Sequence, residues 1–419
     1  MFRADLHIHS RFSRATSKNL TLRSIASYAY IKGIQLVGTG DITHPKWLEE
    51  ISDELIYNDQ TGFYQLKNPL TPQDILAQTN IHINEVSFQP QFILQGEISC
   101  IYKKNGATRK NHQLIFAPTI DEAKKLNAKL SQIGNLAADG RPILGLDAKI
   151  LLELVLDSAQ NFDLQNYLIP AHIWTPWFSI FGSKSGFNSL EECFEDLREE
   201  IFALETGLSS DPTMNRLWSA LDNCTLISNS DAHSGENLGR EVNIFHSAPT
   251  YQSLFDALKN KNDLLYGTVE FYPEEGKYFA DGHRNCNICL LPGESRKYQN
   301  ICPVCGKPLT IGVLNRVEEL SDREKPRITN KQFESCIPLK EILSEIYHLG
   351  VKSKQMHAHY EKLINLLGSE LDILQNVPIQ QIAEANASLA KAIQAMRANS
   401  IQKICGYDGS YGKIKILGS

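Results

Sequence analysis

Phe2-Arg3-Ala4-Asp5-Leu6-His7-Ile8-His9 begins the chain as an apolar strand broken at alternate positions by groups that can hold a metal. In a strand, residues i and i+2 face one side, so Asp5, His7 and His9 share a face. Working outward, Leu22, Ile25, Ala26 and Ala29 fall at helical spacing, with Thr21 as an N-cap and Gly33 as the stop. Residues 34–37 form the next strand, and similar apolar runs recur at 92–94, 114–116, 143–144, 167–169, 201–204 and 226–227. Strands separated by helices predict a parallel α/β architecture. This many units favours a closed barrel, whose enzymes keep their sites at the C-terminal mouth. Residues 50–90 read as an insertion.

The bulk numbers narrow the class. At 419 residues the chain exceeds one ordinary domain, so a large catalytic unit with smaller additions is expected. Boundaries near 275 and 335 give a catalytic unit over 1–275, a Gly-, Pro- and Cys-rich module over 276–335, and a helical region over 336–419. The tail Gly406-Tyr407-Asp408-Gly409 has turn chemistry, followed by a strand-like end reaching Leu417. No apolar run is long enough to span a bilayer and no basic-then-apolar leader precedes residue 2, so a cytoplasmic protein is expected, nucleoid-associated if prokaryotic. Nine cysteines, an odd number with two close pairs, argue against a secreted disulfide framework. A net charge of -6 excludes a broadly basic nucleic-acid coat but leaves room for a local basic patch.

Further metal-binding side chains stand where the apolar runs end: Asp41, Glu97, His172, Asp231 and His233. Imidazole and carboxylate together are the donor set for Zn²⁺, Mn²⁺ or Fe²⁺. His112 joins them through a turn. Asn105-Gly106 is a strong hairpin signal. A two-residue turn there pairs residue 99 with 112 and 97 with 114, which puts Glu97 and His112 on one face. Asp5 reads as a hydrogen-bonding support rather than a ligand.

Asp5-Leu6-His7-Ile8-His9-Ser10, Thr39-Gly40-Asp41, Gly96-Glu97, His112, Pro170-Ala171-His172 and Ser230-Asp231-Ala232-His233 resemble the ordered motifs of the PHP family of phosphoesterases, over residues 1–235. The resemblance implies a distorted (β/α)7 barrel with two or three divalent ions (Zn, Mn or Mg) in the active site. It implies His7, His9, Asp41, Glu97, His112, His172, Asp231 and His233 as metal ligands, with His172, His112 and Asp231 in catalysis. Two departures stand out: Ser13, Arg14 and Ala15 occupy a stretch where members carry another His or Asp, and His44 lies three residues beyond Asp41 as a substitute ligand.

Cys286-x-x-Cys289 and Cys302-x-x-Cys305 match a structural zinc ribbon; His283 could compete as a ligand, but the four cysteines already close the site. Cys100, Cys193, Cys224, Cys336 and Cys405 read as ordinary positions. A ribbon on a phosphoesterase suggests a large substrate. Lys103, Lys104, Arg109 and Lys110 flank the Asn105-Gly106 turn as a basic tip, and Trp174, Trp177, Phe181 and Lys184 follow His172. These could equally be a solvated hairpin and core aromatics, or they could hold DNA and stack on an extruded base.

The motifs Ala171-His172-Ile173-Trp174-Thr175-Pro176-Trp177, Glu205-Thr206-Gly207-Leu208-Ser209-Ser210-Asp211-Pro212 and Asn315-Arg316-Val317-Glu318-Glu319-Leu320, with the ribbon, resemble the endonuclease Q family over nearly the whole chain. That resemblance implies a DNA repair endonuclease cutting 5′ to a deaminated base (uracil, hypoxanthine, xanthine) or an abasic site. The alternatives are a phosphatase for small phosphomonoesters and a non-catalytic zinc-containing binding protein. The region after 335 suits structural support or docking to a partner such as a sliding clamp.

Overall fold

The computed structural model describes residues 1–158 and 164–416, so Leu417 lies outside the described residues. Strands in chain order are β1 (Phe2–Asp5), β2 (Leu36–Gly38), β3 (Leu55–Asn58), β4 (Phe63–Leu66), β5 (Gln91–Lys104), β6 (Ala107–Ala117), β7 (Ile143–Leu144) and β8 (Tyr167–Pro170). There follow β9 (Ala203–Glu205), β10 (Thr225–Ile227), β11 (Val242–Phe245), β12 (Leu265–Glu270), β13 (Asp281–His283), β14 (Ile288–Leu290) and β15 (Gln332–Ser335). The tail turn is flanked by β16 (Gln402–Ile404) and β17 (Lys413–Lys415), an antiparallel pair.

Local chemistry sets the elements. Helix Leu22–Lys32 starts where Thr21 accepts a bond from the Ser24 N–H. It stops at Gly33, whose φ of 83° lets its N–H close back on Ala29 and Tyr30. Asn105 and Gly106 take φ of 53° and 74°, the left-handed pair a tight hairpin needs. The resulting register pairs Ser99 with His112 and Glu97 with Leu114, as the turn predicts.

The main sheet is mixed, in the order β15-β12-β11-β1-β2-β5-β4-β3, and continues from β5 through β6 to β8. The short parallel pair β9–β10 forms its own ladder. Single contacts link it to both sides. Ile173 N–H donates to Glu205 O at 3.1 Å, and Ile8 bridges Ala232. The expected α/β class is therefore met, but the all-parallel closed ladder is not. β6 must run antiparallel because a two-residue turn reverses the chain, and β11 lies antiparallel to β1. Residues 55–66, within the expected insertion, extend one edge as the β3–β4 hairpin.

Two apolar cores flank the sheet, one of them including Ala4, Leu6, Phe116 and Tyr251, the other including Ile8, Val37, Leu94 and Ile98. The C-terminal helices Leu339–Tyr347, Lys354–Leu367, Glu370–Gln375, Ile379–Ala385 and Ala387–Arg397 join the larger core. Two ion pairs tie them to the sheet side: Lys32 Nζ to Glu370 Oε2 at 2.7 Å, and Arg3 Nη2 to Asp372 Oδ1 at 2.9 Å. Among the described residues, no helix is long and apolar enough to cross a membrane.

Candidate metal centre

The C-terminal ends of β1, β8 and β10, with the middles of β5 and β6, deliver donors to one buried spot. His7, His9, Glu97 and Asp231 each place a donor atom within 4.8 Å of the others, and so do Glu97, His112 and His172. Glu97 belongs to both groups. Its Oε2 lies 3.2 Å from His9 Nε2, and its Oε1 lies 2.8 Å from His112 Nδ1 and 3.1 Å from His172 Nε2. The hairpin parity explains the sharing: Glu97 and His112 project from one face of two paired strands.

The donor atoms fit cations better than they fit each other. His9 Nε2 and Asp231 Oδ1 are 3.0 Å apart, and His7 Nε2 is 3.5 Å from the same oxygen. Yet all three atoms are buried without a hydrogen bond of proper geometry. Buried polar atoms are seldom left so, and atoms converging on a common point without bonding one another have the arrangement of ligands. Charge tells the same story. Burial alone would push the His7 imidazole down, but the Glu205, Asp231 and Glu97 carboxylates outweigh it and hold it well above the usual range. Burial would raise Glu97, yet His112, Arg141 and His7 hold it well below the carboxylate range. His112 is pushed down to about 4 by burial, with the His172 and Arg141 cations adding to the effect against Glu97.

Other groups aim the donors. Glu205 accepts from His7 Nδ1 at 3.0 Å, from the His172 backbone N–H at 2.8 Å and from Asn229 Nδ2 at 2.9 Å. Such outer carboxylates fix the tautomer and orientation of a ligating imidazole. Asp41 plays the same part for His9, 3.1 Å from its Nδ1, while Ser10 and Ser13 hydroxyls donate to its carboxylate. Asp41 therefore stands behind His9, outside both donor groups. His233 lies at the rim, its ring 4.4 Å from that of His9 and its Nδ1 bonded to the Asp231 carbonyl. His44 stands just before helix Pro45–Glu54 and stacks on Phe12, outside both donor groups. Asp5 accepts from Ser230 and Gly239 backbone N–H groups, and burial raises its carboxyl to about 6.

Asp41, His172 and Asp231 hold φ of 49°, 29° and 47°, a region that side-chain-bearing residues avoid. Strain of this kind persists where surrounding packing over-determines it, commonly at functional sites. Gly140 serves the same packing, since any side chain there would run into the Asp41 carboxylate.

Away from this centre, His283, Cys286, Cys302 and Cys305 form a second donor group. The expected fourth thiol, Cys289, is not in it. In the β13–β14 hairpin Cys289 pairs with Gly282 while His283 pairs with Ile288, so consecutive pairs face opposite sides and Cys289 points away. One nitrogen and three sulfur donors make a tetrahedral set suited to zinc.

The aromatic segment after His172 also needs correction. Trp174 and Phe181 are fully buried, with Trp174 Nε1 bonded to Asn215 and both rings packed on Trp218. They are core. Trp177 is 40% exposed, and Lys184 and Lys103 are exposed as well. Arg109 stacks over Phe187 and donates to the Gly186 carbonyl, and Lys104 pairs with Asp147 and Glu195. Neither is a free basic tip.

Two supporting residues escaped the sequence reading. Glu205 closes a strand-like run as the chosen ligands do, so the same criterion would have found it. Arg141, whose Nη1 lies 3.0 Å from Glu97 Oε2, sits in a loop that carries no signal of its own.

The donor groups and the mixed α/β fold define a metal-dependent hydrolase. The particular fold is that of endonuclease Q, in accord with the PHP and endonuclease Q resemblance of the motifs. The lesion-specific endonuclease PfuEndoQ of Pyrococcus furiosus superposes with a TM-score of 0.83 at 29% identity, covering 100% of this chain and 97% of that one. Endonuclease Q in complex with a 27-mer duplex bearing an abasic lesion at the active site matches at 0.82 and 29%, covering 100% and 98%. In sequence, the Bacillus subtilis protein YqxK is 28% identical over 429 residues, covering 98% of each chain. The Methanocaldococcus jannaschii protein MJ0043 is 32% identical over 252 residues, covering 58% of this chain and 31% of its own. Residues 338–400 match the MJ0043 C-terminal domain family. None of these similarities supports the sliding-clamp expectation for that region.

Proposed function

We propose that this protein is a DNA repair endonuclease that hydrolyses the phosphodiester 5′ to a deaminated base or an abasic site, leaving a 3′-hydroxyl and a 5′-phosphate. The observation that carries the reading is the pair of donor groups joined through Glu97, within a fold shared over its full length with a lesion-specific endonuclease. Residues 1–275 supply catalysis, 276–335 a zinc-held grip on the duplex, and 336–419 support.

His7, His9, Glu97 and Asp231 would hold one divalent ion, and Glu97, His112 and His172 a second, with Glu97 shared between them. Ions in such a site supply an activated water and stabilise charge on the phosphate oxygens. The protein's own part is orientation and proton handling. Glu205 and Asp41 lock the imidazoles of His7 and His9. His112 Nδ1 and His172 Nε2 lie 3.2 Å apart against one carboxylate oxygen, and either imidazole, in place of its bond to the ion, would instead relay a proton to the departing 3′ oxygen. Trp177 offers an exposed ring face close in sequence to His172, suited to stacking beside an extruded nucleotide. A small phosphomonoester would need neither this ring nor the Cys- and His-bearing hairpin.

The test uses a labelled duplex with one deoxyuridine, deoxyinosine or abasic site, incubated with Mg²⁺, Mn²⁺ or Zn²⁺ and either the protein or an Asp231→Ala variant. A nick 5′ to the lesion with the first and none with the second is expected. Turnover of a phosphomonoester with no nick would sink the reading in favour of a phosphatase, and nicking by both proteins would show that Asp231 is misassigned.

A further inference from the structure

Among the described residues, Arg141 is the one arginine or lysine in ion-pair contact with the two active-site donor groups. It presents a puzzle. A fixed cation beside a site for divalent ions opposes their binding, and a neutral amide could satisfy Glu97 without that repulsion. The arginine makes sense if a third charged body, an anion, completes the site.

Its setting supports this. The loop carrying Arg141 is held at several points. Asp139 accepts from the backbone N–H groups of both Arg14 and Arg141, at 3.2 and 3.1 Å, and Gly140 N–H donates to the Phe12 carbonyl at 3.0 Å. The loop just past His9 and the loop before β7 are thereby clamped together. The Arg141 side chain is held at its base, while 27% of it remains exposed beside the buried donors. Its recorded side-chain bond is to Glu97 Oε2, the same oxygen that faces His9 Nε2 at 3.2 Å and His7 Nε2 at 3.7 Å. A cation bound by these donors would draw on that oxygen and weaken its hold on the guanidinium.

We propose that Arg141 binds a non-bridging oxygen of the scissile phosphate, and that its contact with Glu97 is the resting position it leaves when metal and substrate are present. This rests on the phosphodiesterase reading above. Glu97 and Asp231, with Glu205 and Asp41 behind the imidazoles, supply four negative charges against the four positive charges of two divalent ions, so the protein's carboxylates are matched by the metals before any phosphate arrives. Adding a guanidinium suits a phosphate that gains negative charge as the attacking water adds and the P–O3′ bond weakens. The planar fork of arginine matches two phosphate oxygens in a way lysine cannot.

The experiment compares wild type with Arg141→Gln and Arg141→Lys in three measurements: nicking of a lesion-bearing duplex, calorimetric binding of inorganic phosphate to the metal-loaded protein, and metal content with melting temperature. For Arg141→Gln, kcat should fall about 100-fold with a smaller change in KM, the loss expected when a charge-stabilising donor is removed. Phosphate binding should weaken at least about tenfold, while metal content and melting temperature stay unchanged. Arg141→Lys should recover part of both losses. Unchanged kcat and phosphate binding in Arg141→Gln would overturn the proposal, as would a loss of metal in step with activity. If the wild type nicks no lesion duplex yet phosphate binding still depends on Arg141, the lesion reading fails and the role of Arg141 stands.

Discussion

His7 donates its Nδ1–H to Glu205 at 3.0 Å, and this bond turns its Nε2 toward Glu97 and Asp231. The same carboxylate takes the His172 backbone N–H, so one residue sets the positions of two donors on different strands. Glu205→Gln keeps the shape but loses the charge that favours the donating tautomer. Affinity for the active-site metal should fall about 10- to 100-fold with the fold intact, as titration of the metal-free protein would show. Wild-type affinity in the variant would remove Glu205 from this role.

The buried Lys32–Glu370 pair is the main ionic tie between the helix after β1 and the C-terminal helices. Tyr360 and the Leu339 backbone N–H also donate to Glu370, and with Lys32 they hold its carboxyl below the usual range against burial. Lys32→Met would strand that charge and cost about 3–5 kcal/mol in urea unfolding. A Lys32→Met/Glu370→Leu double variant should recover most of the loss. A cost near zero in the single variant would show that the tie is dispensable.

Glu270 gives the protein a pH dependence of opposite sense to that of ordinary paired carboxylates. Burial raises it to about 8 despite bonds from Thr268, Thr206 and Ser228, and its neighbour Glu241 is raised as well. A carboxyl raised on folding binds its proton more tightly in the native state. Its contribution is therefore complete below the ordinary range and is lost as pH rises toward and past about 8. Chemical denaturation between pH 5 and 9 should show wild type weakening toward the alkaline end, with Glu270→Gln much flatter. Equal slopes for the two proteins would rule this carboxyl out as the cause.

The second donor group makes a sharp distinction between neighbouring cysteines. Cys289→Ser should retain one tightly held metal per chain, while Cys286→Ser and His283→Ala should lose or weaken it. Elemental analysis after gel filtration in mild chelator reads this directly. Loss of metal from Cys289→Ser to the same degree as from Cys286→Ser would restore the four-thiol arrangement.

Much of the centre was legible because it depends on short-range rules. Strand alternation aligned His7 with His9, and the parity of the Asn105-Gly106 turn put Glu97 and His112 on one face. The end-of-strand positions of His172 and Asp231 followed from the apolar runs before them. None of this needed the rest of the chain. What only the tertiary structure decided depends on contacts between distant segments. Trp174 and Phe181 turned inward because Trp218 and Asn215, some forty residues away in the chain, complete their surroundings. His283, rather than Cys289, falls in the second donor group because hairpin faces, which spacing does not reveal, set which side chains converge. Asp41 stands behind His9 and Arg141 beside Glu97 because separate loops fold over the opening strand. The segment Phe2–His9 thus pointed by itself to metal binding, through the two-residue alternation of an extended backbone, although β1 proper ends at Asp5. Which carboxylates orient its imidazoles, and which cation waits beside them, depended on contacts between segments 32 to 198 residues apart, distances across which no local periodicity carries information.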